Sequence, residues 1–153
     1  MVKAIDIHVH PPAADVQRET DEERKAREAR RRPGQMAGMR LSADELAEYY
    51  AELNMMAVLM PMDTESATGE PPMENAYVAD LVRRHPGQFV GFGAVDPRKG
   101  KVAVQQLDEV VDLGLKGLKL HPGGGAFYAN DRAFYPLWER CQELGLITLF
   151  HTG

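Results

Sequence analysis

Two imidazoles lie two residues apart near the start of the chain, in Asp6-Ile7-His8-Val9-His10. Side chains in a strand alternate faces, so His8 and His10 point the same way, about 6 to 7 Å apart along the backbone. That spacing suits one metal ion: imidazole is the commonest protein ligand for zinc and related divalent ions, and a strand holds two of them in fixed relation. The plain alternative is a pair of buried or partly solvated strand histidines, since His-x-His is a short pattern.

Other groups with chemical capacity follow. His121 lies in Lys119-Leu120-His121-Pro122-Gly123-Gly124-Gly125 and His151 in Leu149-Phe150-His151-Thr152-Gly153. His121 can contact a substrate, ligate, or merely fix its loop. A buried lysine such as Lys119 becomes a metal-bridging carbamate in some enzymes, but a packed or ion-paired lysine is the ordinary expectation. The triple glycine lacks the Gly-Lys-Ser/Thr ending of a phosphate loop and reads as a flexible, substrate-facing loop. Asp96 precedes Pro97, which suits either a turn start or an active-site carboxylate.

These residues need elements to place them. Apolar runs at Ala4 to Val9, Met56 to Met60, Phe89 to Val95, Leu115 to Leu120 and Ile147 to Phe150 read as strands. After the first, their starts fall about 30 residues apart, the length of one βα unit. Between them the helices have recognisable ends. Ser42 and Glu45 form a capping box, with Leu41 and Leu46 as a hydrophobic staple, for a helix to about Leu53. Met73 to His85 carries Ala76, Val78, Ala79, Leu81 and Val82 at helical spacing and stops at Pro86-Gly87. Val102 to Leu113 ends at Gly114, and the last helix runs from near Pro136 to Gly145. Strands alternating with helices predict an α/β fold with a parallel sheet of about five strands and four helices, one domain over residues 1–153.

In such a fold the carboxyl ends of the strands share one face, where ligands bind. His8, His10, His121 and His151 all fall at those ends, on strands one, four and five. His151 thereby joins the first pair as a ligand candidate, whereas His85, before Pro86, reads as a capping or surface residue. Residues 11–40 form a connection about 20 residues longer than the others, and such a segment is placed as a lid or insertion. Its densely charged part, Arg18 to Arg32, reads as a solvated helix or mobile insertion. Met36, Met39, Met55, Met56, Met60 and Met62 suit adaptable packing.

Composition narrows the partners. With 44% hydrophobic and 27% charged residues the chain has the make-up of a globular domain. A net charge of -5 disfavours nucleic acid. No apolar run approaches the roughly 20 residues that span a bilayer, and no signal-peptide core opens the chain. The single Cys141 excludes an intrachain disulfide and fits a reducing, cytoplasmic setting. A small-molecule substrate is the expected partner.

The four motifs Asp6-Ile7-His8-Val9-His10, Gly93-Ala94-Val95-Asp96-Pro97, Gly114-Leu115-Lys116-Gly117-Leu118-Lys119-Leu120-His121-Pro122 and Leu149-Phe150-His151-Thr152-Gly153 together resemble the amidohydrolase superfamily. The branch resembled includes aminocarboxymuconate-semialdehyde, resorcylate and carboxyvanillate decarboxylases. The resemblance implies a (β/α)8 TIM-barrel type of fold holding one divalent metal, zinc or else manganese, with His8, His10 and His151 as ligands; His121, by its strand-end position, stands beside them as a substrate-binding or active-site candidate. It also implies a metal-dependent hydrolase or decarboxylase acting on a small carboxylated, aromatic substrate.

The family pattern continues with a histidine after strand six and a metal-binding, catalytic aspartate after strand eight, and neither lies within these residues. A complete barrel needs about 250 residues. The chain is therefore expected to form a partial barrel, to be inactive by itself, and to associate with itself or with a missing carboxyl-terminal half. The alternative is a non-catalytic, doubly wound α/β binding module, against which stands the absence of a phosphate-binding glycine loop after strand one.

Overall fold

The computed structural model describes residues 2–13, 20–29 and 41–152. Most of the expected lid over 11–40 therefore lies outside the described residues, as do Met36 and Met39. The elements run β1 (Ala4–Val9), α1 (Asp21–Ala29), α2 (Ala43–Glu52), β2 (Met55–Leu59), α3 (Glu65–Thr68), α4 (Asn75–Arg84), β3 (Phe89–Gly91), α5 (Lys101–Asp112), β4 (Gly117–Leu120), α6 (Pro122–Gly125), α7 (Tyr135–Glu143) and β5 (Ile147–Phe150). The helix boundaries follow local chemistry. At α2 the Ser42 hydroxyl accepts from Glu45 N–H at 3.3 Å while Glu45 Oε2 accepts from Ser42 N–H at 2.9 Å, the reciprocal capping box expected there. Gly114 and Gly145 end α5 and α7 with φ of 77° and 67°, conformations that glycine adopts without steric cost.

β1, β2 and β3 form one parallel ladder, and β4 and β5 another. A single parallel bridge between Gly93 and Leu118 joins them. Each strand thus neighbours the next in sequence. A doubly wound sheet needs a reversal of strand order at a switch point, and the described strands show none, so the alternative architecture is not the one observed. They form an open, partial α/β barrel wall.

Three sequence expectations are corrected. The third strand ends at Gly91 rather than Val95, because Asn75 takes over the backbone of Ala94, accepting from its N–H at 2.8 Å and donating to its carbonyl at 3.0 Å. The glycine-rich run after His121 is a helical turn, α6, with Gly125 buried, rather than a flexible loop. The helices also number more than four, since α1, α3 and α6 add short segments to those with clear apolar periodicity.

The main core lies between the strands and the helices and includes Leu59, Val78, Leu81, Leu107, Leu118 and Leu120. A second, smaller cluster of Val58, Met60 and Phe92, with Val90 and Leu149 beside it, occupies the opposite, inner face of the strands. Gly117 is fixed by its neighbours: a Cβ there would collide with the backbone carbonyl oxygen of Ile147 and stand 2.8 Å from the Phe92 ring. Ile5, which pairs with Met56, and Ile147, which pairs with Gly117, share this inner face. With Ile7 they are 54%, 60% and 60% exposed for Ile5, Ile147 and Ile7 respectively, an apolar surface with few neighbours.

The two faces should answer differently to substitution. Leu107→Ala, in the main core, is expected to cost about 2–5 kcal/mol, and Ile7→Thr, on the open face, within about 0.5 kcal/mol. Urea unfolding of both variants checks this, and equal losses would contradict the assignment of the faces.

Candidate metal centre

β1 carries its histidines to the inner face by an irregularity. Asp6 pairs with Ala57 and Val9 with Leu59, so three steps along β1 match two along β2. Such a bulge breaks strict alternation. Asp6 and Val9 both turn to the helix side, where Tyr50 O–H donates to Asp6 Oδ2 at 2.8 Å and Val9 packs against the main core. His8 and His10 turn to the inner side, with ring centroids 5.3 Å apart.

The parallel register brings the other ends to the same place. Lys119 pairs with Leu149, and His151 N–H continues the ladder by donating to Leu120 O at 2.9 Å. The His8 and His151 rings stand 5.9 Å apart, nearly perpendicular. His121 stacks on His151 at 4.2 Å with planes 12° apart. All four strand-end histidines singled out in the sequence are therefore brought together. His85 and Asp96 are not: His85 sits at the end of α4 with Nε2 3.0 Å from Asp44 Oδ1. Asp96 is a buried turn residue whose carboxylate accepts from Ser66 N–H at 2.7 Å and Arg98 N–H at 2.9 Å.

Lys119 is 1% exposed, and its Nζ lies 3.1 Å from His8 Nε2. It is packed, as expected, but its partner is an imidazole rather than a carboxylate. Burial holds its ammonium below the usual lysine range. His8 is shifted down by desolvation first, then by Lys119, His10 and His151. His151 is shifted down by desolvation and then by His121, Lys119 and His10. Both imidazoles consequently favour the neutral form, the one that binds metal. His121 is oriented by its loop, since Nδ1 accepts from Gly124 N–H at 2.9 Å, which leaves the ring proton on Nε2. Cys141 lies elsewhere, in the core, where burial pushes its thiol up to about 11 and removes it as a nucleophile.

The donor set suits a divalent ion in kind. Among the described residues, however, no three His, Cys, Asp or Glu side chains are grouped tightly enough to hold an ion as they stand. Nitrogens on one tetrahedral zinc lie roughly 3.3 Å apart, so the rings must turn about their side-chain torsions to share one, and Lys119 must give up the His8 lone pair. Sequence reasoning placed Lys119 as a packed lysine but missed its His8 partner, and it missed the contact between Asp6 and Tyr50. Lys119 shares a strand face with His121, a signal that was legible, whereas the Asp6–Tyr50 contact spans 44 residues and leaves no local trace.

The family model described as amidohydrolase matches residues 5–153. A 2-amino-3-carboxymuconate-6-semialdehyde decarboxylase from Dictyostelium discoideum is 26% identical over 78 residues, 50% of this chain and 22% of its own length. An uncharacterised TIM-barrel protein from Bordetella bronchiseptica superposes with a TM-score of 0.64 at 25% identity, over 97% of this chain and 55% of its own. A dihydroxybenzoic acid decarboxylase from Polaromonas, solved with bound manganese and the inhibitor 2-nitroresorcinol, superposes with a TM-score of 0.61 at 20% identity, over 97% of this chain and 49% of its own. The chain thus spans about half the length of the solved structures it matches and less of the curated relative.

The lowered imidazoles fix a pH dependence. In the unfolded chain a histidine titrates near about 6.5, while His8 and His151 bind protons less readily when folded. Below that pH the unfolded state binds more protons, so stability falls as pH drops from about 7 towards 5 and levels off below the folded values. Urea midpoints across this range should show the loss, and the His8→Ala/His151→Ala variant should flatten it. An unchanged slope in the variant would assign the loss to other groups.

Proposed function

We propose, from the premise that the chain belongs to the amidohydrolase family, that it supplies the β1–β5 side of a metal-dependent active site acting on a small carboxylated, aromatic substrate. The observation that carries this reading is the gathering of His8, His10, Lys119, His121 and His151 at the carboxyl ends of β1, β4 and β5. Decarboxylation is favoured over hydrolysis because most relatives of named activity are decarboxylases, a 4-oxalomesaconate hydratase being the exception.

His8, His10 and His151 would hold one divalent ion, zinc or manganese, and the manganese of the Polaromonas enzyme supports the second choice. A bound ion of this kind supplies Lewis-acid charge for a substrate oxygen. This chain's own residues then do the positioning. Lys119, displaced from His8 Nε2, presents an ammonium in a buried setting where a substrate carboxylate is its natural counter-ion. His121 offers its Nε2 proton beside His151, in an orientation fixed by Gly124. Asp6 and Asp96 are committed to Tyr50 and to backbone N–H groups, so neither is assigned as the acid/base of the reaction. The single buried Cys141 supports a reducing, cytoplasmic setting.

The test is metal content by elemental analysis of protein purified without chelator. One divalent ion per chain is expected, with loss of it in His8→Ala/His10→Ala. Protein free of metal, or metal retained by the double variant, would overturn the ligand assignment.

A further inference from the structure

The bulge in β1 has its own fastening. Both oxygens of Asp6 are engaged: Oδ1 accepts from the N–H of His8 at 3.1 Å, and Oδ2 accepts from Tyr50 O–H at 2.8 Å. The first bond satisfies a backbone donor at the very place where the ladder with β2 is interrupted, between Asp6 and Val9. The second ties the same carboxylate to α2, where Tyr50 is a buried member of the main core beside Leu46 and Ala47. Burial and the Asp6 carboxylate together raise the Tyr50 phenol, so it stays a donor.

We propose that Asp6 and Tyr50 are positioning residues for the histidine pair: they pin the bulge that turns His8 and His10 to the inner face, and so set their orientation towards a metal ion. Without the extra residue, strict alternation would send Asp6, His8 and His10 to one side together. With it, Asp6 faces α2 while His8 faces Lys119. The carboxylate is thus a strap running from the helix layer, through the strand, to the amide of the first histidine. As far as it concerns metal, the proposal rests on the reading of His8 and His10 as ligands given above.

The experiment uses Tyr50→Phe, Asp6→Ala and Asp6→Asn, with His8→Ala and the remote core variant Leu107→Val as controls. Zinc affinity is measured by competition with a chromophoric chelator, and amide hydrogen exchange at His8 is followed by NMR in metal-free protein. Tyr50→Phe and Asp6→Ala should weaken zinc binding by about 10- to 100-fold, as removal of groups that orient a ligand does. They should also speed exchange of the His8 amide at least tenfold. Asp6→Asn, which keeps an acceptor oxygen, should lie between them and the parent chain. Leu107→Val should lower stability yet leave both readouts unchanged. Zinc binding insensitive to His8→Ala would sink the ligand reading, and the exchange readout would still decide the strap. Parent-like exchange in Tyr50→Phe and Asp6→Ala, or parent-like zinc affinity in them when His8→Ala loses zinc, would overturn the proposal.

Discussion

The extra residue in β1 between Asp6 and Val9 decides which side of the sheet His8 and His10 occupy, and the contacts of His8 with Lys119 and His151 depend on it. An alternating strand that begins with Ile5 on the inner face would keep Ile7 and Val9 there and send His8 and His10 into the helix layer. The bulge leaves Ile5 and Ile7 inside, returns Val9 to the main core opposite Leu59, and delivers both imidazoles to the inner face. One inserted residue thereby reconciles an apolar strand with a polar strand end. Bulges recur next to active sites for this reason.

The second constraint is parallel register. Because β1, β4 and β5 run the same way, their last residues meet at one rim, and side chains separated by more than a hundred residues come within 3.1 Å, as Lys119 and His8 do. The outcome is a concentration of nitrogen bases around a buried amine with no ion pair to a carboxylate in the described cluster. His8, His151 and Lys119 resist protonation, through desolvation first and, for the two imidazoles, through the neighbouring nitrogens. Cation and anion binding are then complementary. On the proposed assignment, a metal ion would take the neutral imidazoles, and a negatively charged ligand would balance the charge that Lys119 and the ion bring together.

Much of this was legible in the sequence, and the rest fails for identifiable reasons. β1 and β5 were bounded by their apolar runs, α2 by Ser42 and Glu45, and α5 and α7 by the glycines that follow them, because these signals are local. The early end of β3 depends on Asn75, 19 residues away, competing for the backbone of Ala94, and no pattern within the strand could announce it. The helical turn at Pro122–Gly125 runs against the low helix propensity of glycine. It forms because the His121 side chain caps it through Gly124 N–H and Gly125 packs against Phe127. The histidines could be placed at strand ends from spacing alone, but the bulge that aims them is invisible in Asp6-Ile7-His8-Val9-His10, whose alternation reads as regular.

Whether the imidazoles of β1 and β5 converge on one ion is best settled by X-ray absorption at the zinc edge of the chain loaded with one equivalent of zinc. Three imidazoles at about 2.0–2.1 Å, seen through their ring multiple-scattering pattern, are the result expected from His8, His10 and His151 on a common ion. A shell of oxygen alone, or of a single imidazole, would show that the rings gather at the rim without sharing a metal.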